Sequence, residues 1–301
     1  MFTPVIFWMW FLGLVFLVIG LFMVRKELAA ATRIDRLIPL GRVFAASSLA
    51  LFAGEHFAGA NFVKGAVPPW MPGQMFWVYL VGLALLATAV SLATKRDDGL
   101  SSLMTAIMLF LFVLMLHLPR VAAHPGDRIS WTVALRDSAF AGGFLAFAGA
   151  QRGRSGLWMV TVGRIIFGVA ALFFAVEHFL HPASAPGVPL EKVTPAWFPL
   201  PPLWGYLTGV VLLAAGVALL LNKRARVGAA CVGLAAALLT FFLYTPILIA
   251  SILHGGQGSE LVEALNYVGD TLLFAGAALL LAAALRGQSR PLPNPHDDQF
   301  R

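Results

Sequence analysis

Nine apolar runs separated by short polar loops constrain this sequence more than any other feature. Each is close to the ~20 residues that an α-helix needs to cross the hydrocarbon core of a bilayer. A membrane barrel would instead show segments of ~10 residues that alternate in polarity. The sequence therefore predicts an all-α, polytopic membrane protein with about nine transmembrane helices. The runs cover roughly residues 4–24, 43–63, 75–94, 103–118, 131–150, 157–180, 203–221, 227–253 and 261–285.

Basic residues are concentrated in every second loop. One set of loops holds Arg25, Lys26, Arg33, Arg36, Arg42, Lys95, Arg96, Arg152, Arg154, Lys223, Arg224, Arg226, Arg286 and Arg290. The alternate loops hold Lys64, Arg120, Arg128 and Lys192. The positive-inside rule therefore predicts a plasma (inner) membrane protein with its N-terminus outside and its C-terminus cytoplasmic. The net charge of +7 follows from this topology and does not indicate a nucleic-acid partner.

Both ends of the chain fit this topology. Residues 4–24 have no basic residue before them and are followed by Arg25 and Lys26, the reverse of the order in a secretory signal peptide. We therefore expect this first run to be a retained helix. Residues 286–301 are rich in proline and polar residues, which predicts a disordered cytoplasmic tail.

A pattern of glycine, arginine and an acid–histidine pair occurs twice. Arg42 precedes Glu55 by 13 residues, and Arg164 precedes Glu177 by the same distance, 122 residues further on. Each copy spans four apolar runs, an even number, which predicts two parallel four-helix repeats. We place them at residues 39–152 and 157–285, after an N-terminal helix and loop at 1–38 and before the tail at 286–301. Further matches between the copies are Gly41 with Gly163, His56 with His178, Phe57 with Phe179, Trp70 with Trp197, Pro119 with Pro246, and Asp137 with Asp270.

These motifs resemble those of the DoxX/DoxD-like bacterial membrane proteins. The resemblance rests on the Gly-Arg start and His-Phe end of one helix, the Pro-x-Trp-x-Pro linker, and the segment 116–120. It implies a tandem fusion of two four-helix units. It also implies an accessory or quinone-interacting subunit of a membrane redox system, with quinone and redox-complex subunits as partners beside the lipid bilayer. The sequence has one cysteine and no recognisable haem-attachment motif, so no cofactor is certain and quinone is the one implied.

Ionisable residues within apolar runs are the candidates for chemistry, because burying a charge in a bilayer costs several kcal/mol unless it faces protein or water. The candidate catalytic residues are Glu55, His56, Asp137, Glu177, His178 and Asp270. The candidate cofactor-binding residues are His117, Trp70 and Trp197. Arg136, beside Asp137, is a candidate to neutralise Glu55. We expect all these groups in the outer half of the bilayer, with Arg42 and Arg164 at the cytoplasmic surface.

Several interpretations of these residues stay open. In one, carboxylates and imidazoles accept protons from a quinol. A second is a transport path for a small solute or for protons. A third is structural, in which the polar groups only join helices and the protein is a membrane scaffold. A transition-metal site would draw on His56, His117, His178, His181 and His254. We assign no metal ligand.

Overall fold

The computed structural model describes residues 3–188 and 194–286, and within them the regular structure is helical, without β-strands. This confirms the all-α fold. The long helices are α1 (Pro4–Ala30), α2 (Leu40–Ala58), α3 (Gln74–Thr94), α4 (Asp98–Ala123), α5 (Arg128–Ala150), α6 (Leu157–Leu180), α7 (Pro201–Leu220), α8 (Ala225–Leu253) and α9 (Ser259–Ala284). Lys192 and most of the predicted tail, residues 287–301, lie outside the described residues.

Eight of these helices are long and apolar enough to cross a membrane, which makes the chain an integral membrane protein. The remaining one is α5, the helix formed by the predicted run 131–150. It has 23 residues, or about 35 Å at ~1.5 Å per residue, so its length would suffice. Its apolar sequence is interrupted by Arg136, Asp137 and Ser138 in succession. Those same polar residues lie at the candidate site.

The helices form a closed circuit. Consecutive helices from α2 to α9 pack against each other, α9 returns to pack against α2, and α5 crosses the interior to contact α9. Helix α1 lies outside the circuit against α2. The last helix of each predicted unit therefore packs on the first helix of the other unit, and all eight share one core.

Glycines let the central helices approach closely. A Cβ atom on Gly143 of α5 would lie 2.6 Å from the Ala277 carbonyl oxygen of α9, and one on Gly163 of α6 would lie 2.2 Å from the Gly142 carbonyl oxygen of α5. Helices in a bilayer gain little from apolar burial against each other, so close packing at small residues is a main source of their association.

Ion pairs gather several loops at one end of the circuit. Glu27, near the end of α1, pairs with Lys95 of the loop after α3. Asp35, in the loop after α1, pairs with Arg226 at the start of α8 and with Arg286 after α9. We call this the arginine-rich end. The opposite end carries the two Pro-x-Trp-x-Pro linkers, after α2 and after α6, and we call it the linker end.

The two halves contain matching irregularities. Helix α4 has a π-helical turn at Val113–His117, and α8 has one at Thr240–Tyr244. A proline follows each turn two residues later, Pro119 and Pro246. A proline ring clashes with the carbonyl four residues before it, so a wider turn relieves the crowding. Each turn thus redirects the side chain at its end, His117 in the first half and Tyr244 in the second.

We expect the substitution Gly143→Val to destabilise the protein, because its side chain would overlap the Ala277 backbone. Overpacking of a filled core typically costs about 1–3 kcal/mol. Thermal unfolding in detergent, followed by circular dichroism, measures the loss. Gly126→Ala is the matched control, since no atom lies within 4 Å of a Cβ there. An unfolding temperature equal to that of the control would contradict the close packing of α5 and α9.

Candidate functional site

A chain of ionisable side chains joins three helices inside the circuit. His117 Nε2 at the end of the α4 π turn lies 2.9 Å from Asp137 Oδ2 of α5. The neighbouring Arg136 Nε lies 3.5 Å from Asp137 Oδ1, and its Nη1 lies 2.6 Å from Asp270 Oδ2 of α9. The four side chains are only 12–18% exposed. We call this set, His117–Asp137–Arg136–Asp270, the ion-pair chain.

The ion-pair chain is confined to the linker half of the bundle. Asp137 is the tenth residue of α5 and Asp270 the twelfth of α9, which places them roughly 14 and 17 Å from the linker-end starts of these helices. Phe274, one turn further along α9, begins an aromatic cluster. Its ring centroid lies 5.0 Å from Phe167, 5.9 Å from Phe174 and 6.3 Å from Phe140. The polar site is therefore closed by packed rings toward the arginine-rich end.

The partner of Glu55 is the side-chain amide of Asn266. Asn266 Nδ2 of α9 donates a hydrogen bond of 3.1 Å to Glu55 Oε1 at the linker end of α2. Within the described part of the chain, Glu55 has no ion-pair partner. Arg136, the candidate to neutralise it, contacts Asp270 and Asp137 instead. A buried carboxyl whose partner is a neutral amide is better accommodated protonated than charged.

Glu177, the equivalent residue in the second half, has charged neighbours. Arg128 Nε at the start of α5 lies 3.3 Å from its Oε2, and His181 Nε2 lies 3.9 Å from the same oxygen. The two glutamates therefore occupy matching positions in different electrostatic surroundings. Each nevertheless reaches from the first helix of one half to the last helix of the other, Glu55 to α9 and Glu177 to α5.

The histidines that follow these two glutamates, His56 and His178, contact backbone carbonyl oxygens. Nδ1 of His56 lies 2.8 Å from the Phe52 carbonyl oxygen, and Nδ1 of His178 lies 2.6 Å from that of Phe174. His178 also accepts a 2.9 Å hydrogen bond at Nε2 from the Gly187 amide. Both of its ring nitrogens are then occupied, which fixes a neutral tautomer and attaches the loop after α6 to the bundle. This geometry favours the structural interpretation for His178.

The structure does not join the linker tryptophans to His117. The Trp70 side chain is 69% exposed, and Trp197, 52% exposed, packs edge-on against Phe198. Among the described residues neither forms a hydrogen bond or ring contact with the ion-pair chain. Their exposure at the linker end suits residues of the membrane–water interface.

The described residues contain no group of three or more His, Cys, Asp or Glu side chains placed to hold a metal ion. His254 is exposed at the linker end, where its Nδ1 contacts the Ala250 carbonyl oxygen of its own helix. The candidate site is accordingly a set of paired carboxylates, an imidazole and an arginine. Such groups can bind polar ligands and exchange protons.

Helix α5, which carries Arg136 and Asp137, begins with an aspartate N-cap. Asp127 immediately precedes α5, and its carboxylate accepts hydrogen bonds from the backbone amides of Ile129 and Ser130 in the first turn of that helix. The hydrogen bond from the Ser130 hydroxyl, with these amides, holds the pKa of Asp127 below its ordinary value. This cap fixes the start of α5 and so the depth of Arg136 and Asp137.

Two residues of the site were not predicted from the sequence. Asn266 lies four residues before Asp270 on α9, and this helical spacing places both on one face. Arg128 was interpreted only as a loop charge. The four-residue spacing from Asp270 is the sequence signal that could have identified Asn266. The sequence carries no such signal for Arg128, because its pairing with Glu177 depends on how α5 packs against α6.

No protein-family model, curated protein or solved structure matches this chain. The family resemblance therefore stays a prediction.

We expect Arg136→Gln to destabilise the protein strongly, since it leaves Asp270 and Asp137 buried without their shared cation. Breaking one side of a buried ion pair typically costs about 3–5 kcal/mol. Lys95→Gln, which breaks the more exposed pair with Glu27, is the comparison and should cost at most about 1 kcal/mol. Urea unfolding in mixed micelles measures both variants.

The double variant Arg136→Gln/Asp270→Asn should recover part of that loss, because it replaces the buried ion pair by two amides. A loss for Arg136→Gln no larger than for Lys95→Gln would show that the ion-pair chain is not a buried element of the fold.

Proposed function

We propose that this integral membrane protein binds a quinol at the ion-pair chain and accepts a proton from it, as an accessory or quinone-interacting subunit of a membrane redox system whose redox-active subunit takes the electrons. The observation that carries the proposal is the His117–Asp137 pair, held 2.9 Å apart in the linker half of a largely apolar bundle. The resemblance to DoxX/DoxD-like proteins supports the same ligand class. The matching π turns of the two halves support the tandem duplication that this resemblance implies.

Proton acceptance follows from the chemistry of the pair. With Asp137 ionised, it accepts the hydrogen on Nε2 of His117, which leaves Nδ1 with a lone pair. A quinol hydroxyl hydrogen-bonded to Nδ1 can give up its proton there, and Asp137 stabilises the imidazolium that forms. The Arg136 guanidinium places a positive charge beside the same carboxylate, with Nε 3.5 Å from Asp137 Oδ1.

The confinement of the site favours this function over transport. A transport path needs polar groups across the whole bilayer, whereas the ion-pair chain ends at the ring of Phe274 and its aromatic neighbours. A lipid-soluble ligand needs only one polar site reached from the bilayer. The scaffold alternative predicts the same packing with no ligand, and the binding experiment below decides between them.

We expect the purified protein in nanodiscs to bind decylubiquinol, the reduced form that carries the hydroxyl groups, with quenching of the protein's tryptophan fluorescence as the readout. Asp137→Asn and His117→Gln should each weaken binding by about tenfold, equivalent to ~1.4 kcal/mol, which is in the range for one hydrogen bond. Mass spectrometry of a lipid extract of the wild type should detect co-purified quinone.

His254→Gln is the matched control, because this histidine lies at the same end but outside the ion-pair chain. It should bind decylubiquinol as the wild type does. Unfolding temperatures identify any variant that loses binding by misfolding, and His117→Gln, which keeps a hydrogen-bonding side chain, is the milder of the two. Equal binding by all variants, or no binding by the wild type, would refute the quinol site.

We also propose that the arginine-rich end is cytoplasmic and the linker end outside. Single cysteines introduced into a Cys231→Ala background test this in intact cells. Gly65→Cys and Gly126→Cys report on the linker end, where a side chain has free space, and Ser155→Cys reports on an exposed loop at the other end. A membrane-impermeant maleimide should label the first two directly and Ser155→Cys only after permeabilisation. The opposite labelling pattern would reverse the topology.

A further inference from the structure

A groove of about 610 Å³ opens on the side of the bundle between α3 and α4, at the arginine-rich end. Most of its wall is apolar. Thr88 and Thr105 line its buried side and share a 2.8 Å hydrogen bond, so their hydroxyls are satisfied within the wall. Arg96 and Asp97 line it at the turn that joins the two helices. An apolar groove along the bilayer with two opposite charges at its surface end matches the polarity of a phospholipid.

The two charges at the groove are available to a ligand. The adjacent Lys95 pairs with Glu27, whereas in the described part of the chain neither Arg96 nor Asp97 has an ion-pair partner. Both side chains are exposed. A guanidinium binds phosphate oxygens through charge-assisted hydrogen bonds, and a carboxylate accepts hydrogen bonds from an ammonium group. The pair is therefore complementary to a headgroup that carries a phosphate and a primary amine.

The second half provides an internal comparison for these charges. The turn between α7 and α8 has left-handed residues at the same two places as the turn between α3 and α4. At the positions of Arg96 and Asp97 it carries Lys223 and Arg224. Both charges are positive there, so this turn suits an anion but offers nothing to an ammonium group.

The helices of the second half also pack more tightly at this end. A Cβ atom on Gly228 of α8 would lie 3.2 Å from Cα of Ala215 on α7. The equivalent positions in the first half are Ser101 and Thr88, whose side chains occupy space between α3 and α4. The groove therefore results from larger, polar residues that replace glycine and alanine along one helix pair.

We propose that the groove between α3 and α4 binds one phospholipid of the phosphatidylethanolamine class. One acyl chain lies along the apolar wall, the phosphate contacts Arg96, and the ammonium group contacts Asp97. This site lies at the opposite end of the bundle from the ion-pair chain and does not depend on the proposed quinol site.

Native mass spectrometry of the protein released from nanodiscs tests the proposal. The nanodiscs contain equal amounts of phosphatidylethanolamine, phosphatidylglycerol and phosphatidylcholine, and the retained lipids are counted by mass. The wild type should retain phosphatidylethanolamine in preference to both others. Asp97→Asn should lower the ratio of retained phosphatidylethanolamine to phosphatidylglycerol by about two- to fivefold, as expected for one exposed ion pair. Arg96→Gln should lower retention of both lipids.

Two further variants separate the groove from general surface charge. Ala87→Trp places a large ring in the groove from an exposed position, so it should abolish retention without disturbing the core. Lys223→Gln removes the equivalent charge of the second half and should leave the preference unchanged. The proposal fails if the wild type shows no preference, if Asp97→Asn keeps it, or if Lys223→Gln acts as strongly as Arg96→Gln.

Discussion

The ion pair between Arg136 and Asp270 is the interaction on which the rest of the structure depends. Charged groups in the apolar interior of a bilayer are tolerated only where they face partners or water. Arg136 on α5 and Asp270 on α9 form an ion pair at 2.6 Å, and α5 and α9 are the helices that contact each other across the circuit. A shift in the register of α5 against α9 would separate these two charges. Polar pairs of this kind can select one packing arrangement among several that small apolar residues would allow.

The same reasoning accounts for the order of helices around the circuit. Glu55 of α2 meets Asn266 of α9, and Glu177 of α6 meets Arg128 of α5. Each acid from the first helix of one half thus finds its partner on the last helix of the other half. Two separate four-helix bundles would break both contacts. The buried polar residues therefore explain why the halves share one core.

The backbone was more predictable than the partners of the polar side chains. Apolar runs indicated the helices because their length and continuity are set by the bilayer, and the all-α membrane fold is confirmed. The alternation of basic loops agrees with their observed grouping at one end. The site was predictable only in part. That His117 and Asp137 are polar residues within apolar runs was visible in the sequence, but their 2.9 Å contact depends on the π turn before Pro119 and on the packing of α4 against α5.

Equivalent positions in the two halves carry residues with different hydrogen-bond partners. The residue at the end of the second π turn is Tyr244, whose hydroxyl donates a 2.9 Å hydrogen bond to the Pro186 carbonyl oxygen. His178 is likewise committed to the Gly187 amide. In the first half, the matching His117 contacts a carboxylate instead. The second half therefore uses these positions to hold its linker loop in place, while the first half retains an acid–imidazole pair.

Each Pro-x-Trp-x-Pro linker is hydrogen-bonded to the start of the helix that follows it. The indole nitrogens of Trp77 and Trp204 donate hydrogen bonds of 3.0 and 2.9 Å to the carbonyl oxygens of Pro72 and Pro199, which tie each linker to the helix that follows it. Prolines restrict the same segments further. The acid–imidazole pair likewise lies on two packed helices, α4 and α5, so binding of the proposed ligand would require little further ordering.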